Sequence, residues 1–330
     1  MLKKFIYWLS FYVFAPRREG WFLYTIVALV LTAPMLFIGI FGFFSLYREI
    51  SDLSLERRQS LASLAAFNLE EKFDHIKDVG ISLATRVAFR QLIQQKRWDE
   101  AIAILSDVTK NFPYIDRVFL TDSAGILTAD SPALPDVRGQ SFAFRDWYDG
   151  VSKNWEPYVS EIYKRQAAPQ LNVAVVAVPI KSGEQILGIL VMQIRLETFL
   201  SWAEVVEINS GGFAYFVDQR GHAVASPYFP PQDPIADISD NPIVQKVLAG
   251  NRGLEIFRDA DGGIERVIAY EPVNSYGWGA IVEQPSKAVF EVRNEALRFF
   301  LAVLFAAFSM NLFFAYLLVK VLKMTRLMFA

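Results

Sequence analysis

The chain has 330 residues, room for two ordinary domains, with 53% hydrophobic and 15% aromatic residues and a formal net charge of −2. Cysteine is absent, which excludes a disulfide framework, thiolate metal sites and cysteine nucleophiles. The hydrophobic excess over soluble averages is concentrated at the two ends.

Residues 1–20 form a first segment in which LKKFIYWLSFYVFA is too short to span a bilayer. Its lysines stand beside aromatics, as in a stretch lying along the inner membrane surface, though a disordered tail fits equally. Residues 21–47 carry no charge and predict a first transmembrane helix, about 40 Å long at ~1.5 Å per residue. The run is far longer than the apolar part of a signal peptide and lacks an A-x-A-like ending. Residues 298–320 predict a second span, and Pro34 and Asn311 are tolerable inside such helices. Lys3, Lys4, Arg17 and Arg18 precede the first span, and Lys320, Lys323 and Arg326 follow the second. This basic flanking predicts that both ends are cytoplasmic and that residues 48–298 lie outside. The outer segment holds 26 basic and 34 acidic residues, a net −8, which argues against nucleic acid as a partner.

Residues 48–95 predict one long stalk helix. Ala62, Ala66, Leu69, Phe73, Ile76, Gly80, Leu83 and Val87 recur in steps of four and three, a heptad seam. Such a seam suits either a second copy in a homodimer or packing onto its own domain. Trp98–Phe112 predicts a shorter amphipathic helix. Short strands follow, and they repeat. FLTDSAGILTADSP (119–132) matches YFVDQRGHAVASP (215–227), with Asp122 and Gly125 aligned on Asp218 and Gly221. Asp opens such a turn by bonding its own backbone, and Gly accepts the positive φ where the chain reverses. Later strands pair likewise, 171–180 with 265–273 and 186–194 with 278–285. The expectation is an α+β fold of two consecutive antiparallel sheet units with helices beside them, a membrane-distal unit at 96–200 and a membrane-proximal one at 201–297. Residues 321–330 form a short cytoplasmic tail.

Nucleotide, hydrolase and zinc motifs are missing from the sequence, and so is any catalytic constellation. His75 and His222 read as solvated surface residues. Asp259 and Asp261 sit in RDADGG, whose oxygen ligands are too few and wrongly spaced for calcium, so the stretch reads as a polar hairpin turn. No cofactor is expected.

Two spans, cytoplasmic ends, a long outer helix and two tandem sheet units resemble the tandem PAS-like, double Cache (dCache) sensors of bacterial membrane receptors. The echoes in sequence are FRDWYDGV (144–151), YVSEIY (158–163), VAVP (176–179) and LGILVMQIRLETF (187–199). The resemblance implies a bacterial inner-membrane protein with residues 48–298 in the periplasm or outside the cell. It implies no enzyme activity but a ligand-binding region of the kind carried by chemoreceptors, sensor histidine kinases and diguanylate cyclases. Arg145, Trp147 and Tyr148 match an Arg-x-Trp-Tyr element that lines the distal pocket in amino-acid-binding members. Tyr163 is the further pocket residue it suggests. Where those members carry a tyrosine before the arginine and an aspartate late on the last distal strand, this chain has Gln140 and Gln193. An amide offers no counter-charge to a buried ammonium, so the pocket suits a small polar or anionic metabolite held by a guanidinium fork. The alternative is that Arg145 bonds backbone carbonyls while Trp147 and Tyr148 pack under a loop. Two functions follow: a small-molecule sensor signalling across the bilayer, or a membrane-anchored assembly protein using the fold for protein contacts. Some eleven residues remain past the second span, so a sensor would belong to a longer protein or act through a separate cytoplasmic partner.

Overall fold

The computed structural model describes residues 20–206, 208, 211–224, 235–258 and 264–328. Lys3, Lys4, Arg17, Arg18, Asp259 and Asp261 of the RDADGG turn and the second Ser-Pro stop lie outside the described residues. The chain divides into two compact units, Met1–Ser54 with Val289–Ala330, and Leu55–Ala288.

The first unit holds the two apolar helical stretches. Helix α1, Gly20–Ala84, begins here and continues unbroken through 65 residues, with Pro34 inside it. The closing helix, α9 (Glu291–Met328), is 38 residues long. Both are long and apolar enough to cross a membrane. Phe37, Phe41, Phe299 and Phe305 stand exposed along them. At Gly39 a Cβ would lie 2.7 Å from Leu304 Cδ1, so the two helices approach closely there and a larger residue would have to displace the leucine side chain.

The second unit contains two antiparallel sheets built to one plan. After α1 come α2 (Val87–Gln94), α3 (Trp98–Ile104) and α4 (Val108–Asn111). The predicted stalk helix therefore breaks at Thr85–Arg86, where Arg86 is extended (φ −64°, ψ 129°). The predicted helix over 98–112 breaks at Leu105–Asp107 into α3 and α4. The first sheet comprises β1 (Arg117–Thr121), β2 (Leu127–Ser131), β3 (Tyr158–Val159), β4 (Tyr163–Lys164), β5 (Asn172–Ser182) and β6 (Gln185–Arg195), with α5 (Asp146–Asn154) between β2 and β3. Its order is β2-β1-β6-β5-β3, and β4 also pairs with β5. Helix α6 (Leu196–Glu204) leads to β7 (Phe213–Val217), β8 (Ala223–Val224), α7 (Pro242–Leu248), β9 (Gly253–Phe257), β10 (Arg266–Val273) and β11 (Trp278–Pro285). The second sheet runs β8-β7-β11-β10-β9, the same order position for position. A short α8 (Ser286–Val289) precedes α9.

The duplicated turns carry the same chemistry. Asp122 Oδ1 accepts from the N–H of Ala124 and Ile126, and Asp218 Oδ1 from those of Arg220 and His222, all at 2.9 Å. Gly125 and Gly221 both sit at positive φ (79° and 87°), which a side chain would strain.

Period-two alternation sorts the first sheet's strands onto two faces. Val118, Leu120, Leu190, Met192 and Ile194 join the large core beneath α1, while Phe119, Ile189, Val191, Val173 and Val175 face α5. Of the heptad seam, Ala62, Ala66, Leu69, Phe73, Ile76 and Leu83 are buried in this core, and Gly80 is buried against Val178 and Met192. Only Val87 is exposed. The seam is thus met by packing onto the chain's own unit, while Leu64 and Phe67 stand exposed elsewhere on the same helix. Phe73 also stacks edge-on with Phe199 of α6 and with Trp278 of β11, tying the helix to both sheets through one aromatic cluster.

Candidate functional site

The stretch FRDWYDGV straddles the start of α5. Arg145 precedes the helix in extended backbone (φ −82°, ψ 144°). Trp147 and Val151, one helical turn apart, point at the sheet and are fully buried, the indole 5.9 Å from the Phe119 ring. That anchor fixes the helix, and the extended residue before it carries its guanidinium over β4. Arg145 Cζ stands 4.2 Å from the Tyr163 ring centroid, and Nη2 donates to the Lys164 carbonyl at 3.1 Å.

Beyond the guanidinium lies a small, partly open cavity. Arg117, Arg145, Arg165, Tyr163, Gln166 and Gln193 supply its polar lining, with Phe119, Leu127, Val137, Phe142 and Ala167 between them. Arg117 and Gln193 are opposite each other in the β1–β6 register and are 4% and 1% exposed. Arg117 Nη2 donates to Asp130 at 2.5 Å, and Asp130 is shared with Arg138 at 2.7 Å. Arg165 pairs with Asp116 at 2.8 Å, and Asp116 is shared with Arg195 at 2.7 Å. Among the described residues Arg145 pairs with no carboxylate. Three N–H donors in the lining, Arg117 Nε, Arg145 Nε and Gln193 Nε2, are buried without a partner. Burial raises the Tyr163 hydroxyl well above its ordinary value, so it stays neutral.

The structure brings Arg145, Tyr163 and Gln193 together around this cavity. Trp147 stands behind it in the core, its indole N–H buried without a partner. Tyr148 is turned away: its hydroxyl donates to the Ser123 carbonyl at 3.0 Å, and its ring packs where a Cβ on Gly125 would be. The tyrosine thus braces the β1–β2 turn, and Arg145 itself does bond a backbone carbonyl, as the loop-packing alternative expects. Gln140 is exposed and outside the lining, donating to the Asp136 carbonyl at 2.6 Å and accepting from Gln166 at 2.9 Å. Arg117 and Arg165 were not legible as site residues. The one signal is that Arg117 lies two residues before Phe119, on the same strand face.

A second polar group joins the two sheets. Asp218, in the β7–β8 turn, accepts from the Ile162 N–H and from His222 Nδ1, each at 2.8 Å, and Arg220 pairs with Glu161. His222, read as a solvated turn residue, is instead partly buried, and the Asp218 carboxylate raises its pKa. Asp146 Oδ2 accepts from the Glu161 N–H at 2.7 Å, and burial pushes its pKa up to about 6. Among the described residues, no group of three or more His, Cys, Asp and Glu can hold a metal ion.

A family model described as Cache domain matches residues 45–292. A probable methyl-accepting chemotaxis protein of Bacillus thuringiensis subsp. konkukian (strain 97-27) is 23% identical over 192 residues, 58% of this chain and 27% of that protein. Methyl-accepting chemotaxis protein McpA of Bacillus subtilis (strain 168) is 21% identical over 299 residues, 88% of this chain and 42% of that protein. The chain therefore spans less than half the length of these curated relatives. In fold, it resembles the ligand-binding domain of the Pseudomonas fluorescens chemoreceptor CtaA in complex with L-isoleucine. The TM-score is 0.56 at 17% identity, covering 74% of this chain and 98% of that one. The ligand-binding domain of the Pseudomonas aeruginosa PAO1 amino acid chemoreceptor PctB with L-Arg gives 0.53 at 16%, covering 70% and 94%.

Proposed function

The chain belongs to the Cache domain family, and from that premise we propose that it is the sensory part of a membrane receptor. Its outer segment, 48–298, binds a small polar or anionic metabolite in the cavity of the first sheet unit, with Arg145 as the anchor. The two apolar helices cross the inner membrane, both ends are cytoplasmic, and a cytoplasmic output domain or partner receives the signal. Likeness to methyl-accepting chemotaxis proteins supports chemotaxis as the output.

The observation that carries this reading is the trio of partnerless donors around one cavity. A buried N–H without an acceptor costs ~1–3 kcal/mol, and a ligand with acceptor atoms recovers it. The route inward is short. On β6, Gln193 lines the cavity while its neighbour Met192 faces α1, where the absent side chain of Gly80 lets the strand and helix approach closely. A shift of β6 on binding is transmitted to α1 by packing, since neither close-packed surface can deform alone.

Thermal melting of the full chain in lipid nanodiscs against a panel of organic acids, amino acids and polyamines tests the proposal. At least one compound should raise the melting temperature saturably, and the effect should vanish in Arg145→Ala. Absence of any saturable shift would favour the assembly-protein reading. Topology is separately checked by reporters fused after Ala330, which should be active only when the reporter works in the cytoplasm.

A further inference from the structure

We propose that the cavity is built for an amine-free organic anion with an acceptor group at each end, a short dicarboxylate, and that Arg117 is its second anchor beside Arg145. This rests on the sensing reading above and narrows it to a ligand class.

The first ground is the sign of the unmet hydrogen bonds. Every partnerless buried polar atom in the lining is a donor: Arg117 Nε, Arg145 Nε and Gln193 Nε2. A ligand that satisfies them presents acceptors only. The second ground is charge. Three guanidinia line the cavity and no carboxylate does. Behind the wall, four guanidinia share three carboxylates: Arg117 and Arg138 divide Asp130, Arg138 also holds Asp99, and Arg165 and Arg195 divide Asp116; among the described residues Arg145 pairs with none. An ammonium entering this space meets like charge with no carboxylate to receive it, which is strongly disfavoured away from water.

The third ground is placement. Arg117 and Gln193 face each other across β1 and β6, on the face that also carries Phe119 and Val191, while Arg145 reaches in over Tyr163 from the start of α5. The donors thus come from two separate elements, the sheet and the helix start, and ask for two acceptor groups. Both arginines are held by their other nitrogens, Arg117 on Asp130 and Arg145 on the Lys164 carbonyl, so little freedom is lost when a ligand arrives. Phe119, Leu127, Val137 and Phe142 lie between the polar groups and suit a short carbon chain rather than a hydrated inorganic ion.

Succinate and L-aspartate differ by one ammonium, and succinate and butyrate by one carboxylate, so titration calorimetry on the full chain in lipid nanodiscs reads both claims. Wild-type chain should bind succinate about tenfold or more tighter than either L-aspartate or butyrate. Arg117→Gln should weaken succinate about 10- to 100-fold, the worth of a hydrogen bond to a charged group, and butyrate much less. Gln193→Asp is the companion variant, since Gln193 carries no ion pair: it should weaken succinate and strengthen L-aspartate. L-aspartate matching succinate in the wild type overturns the amine-free class, and butyrate matching succinate overturns the second anchor. Sulfate binding in place of any organic acid overturns the organic ligand. Arg145-dependent binding of an amino acid leaves the sensing proposal standing and sinks this one, whereas no binding by any compound of the wider panel sinks both.

Discussion

Asp218→Asn tests whether the two sheets are clasped by one buried carboxylate. Asp218 is 0% exposed and accepts four hydrogen bonds. Two come from its own turn, at Oδ1; the other two, at Oδ2, come from the Ile162 N–H of the first sheet unit and from His222 Nδ1. Asparagine keeps one oxygen, which serves the turn, and places an amide N–H₂ against the Ile162 N–H and the imidazole. Two bonds to a charged acceptor, each worth ~1.5–3 kcal/mol, are lost, and the buried Ile162 N–H is left unmet. Some relaxation offsets this, so a net loss of about 3 kcal/mol is expected. For a unit of this size that lowers the melting temperature by ~6–12 °C.

The same variant carries a pH signature. His222 has its pKa raised, chiefly by the hydrogen bond to Asp218, against the opposing effect of burial. A histidine whose folded pKa exceeds its unfolded value of about 6.5 contributes stability that is fully present below that value. The contribution is lost as pH rises through the folded pKa. Wild-type chain should therefore lose stability on that rise, and Asp218→Asn should not. Thermal melts of the full chain in nanodiscs from pH 5.5 to 8.5 measure both effects. A loss under about 1 kcal/mol, or an unchanged pH slope, would refute the clasp.

Gly80→Ala sets helix propensity against packing: alanine gains about 1 kcal/mol, but its Cβ would meet Val178 Cγ2 at 2.7 Å and Met192 Cε at 2.4 Å. Met192 can swing aside whereas Val178 is stiff, so overpacking prevails and melting should reveal a net loss of ~1–2 kcal/mol. Asp146→Asn should stabilise the chain at neutral pH. With the folded pKa about 6 against 3.8, ionising Asp146 penalises folding increasingly from about pH 4 to pH 6, so denaturation curves of wild type and variant should coincide near pH 4 and part by ~1–3 kcal/mol at pH 7. For whichever ligand the panel yields, Arg145→Ala should weaken binding by ~1.5–3 kcal/mol, and Arg145→Lys should recover only part, because an ammonium lacks the bidentate fork.

Much of this fold was legible because its signals are local. The Asp-x-x-Gly turns at 122–125 and 218–221 repeat the same backbone chemistry, and the flanking apolar runs repeat at the same interval, so duplication of the sheet could be read before any coordinate. What a periodic stripe packs against is not local. Ala62 to Leu83 satisfy a coiled-coil seam and a helix lying on a sheet equally well, and the choice depends on Val178, Met192 and Trp278, more than ninety residues away. The stalk break at Arg86 and the interruption near Ser106 likewise depend on where the following elements must dock.

The cavity divides along the same line. Arg145, Tyr163 and Gln193 came from motif resemblance, but resemblance treats Trp147 and Tyr148 as a pair, and helix geometry separates them. Consecutive helical residues point about 100° apart, so once Trp147 enters the core, Tyr148 must leave it, and it finds the Ser123 carbonyl instead. Arg117 was hidden for the opposite reason. Alone it is an arginine at the head of a strand, ordinarily solvated there, and only the β1–β6 register sets it opposite Gln193 beneath α5. The strand had a reason to keep it, because Asp130 on β2 stands close enough to receive one nitrogen and leave another free. A buried guanidinium that is half satisfied is expensive to maintain for stability alone. Three such partly met donors around one cavity therefore make better sense as a binding surface than as structural filler, since a core serving only to fold would have replaced them with the valines and phenylalanines that already surround them.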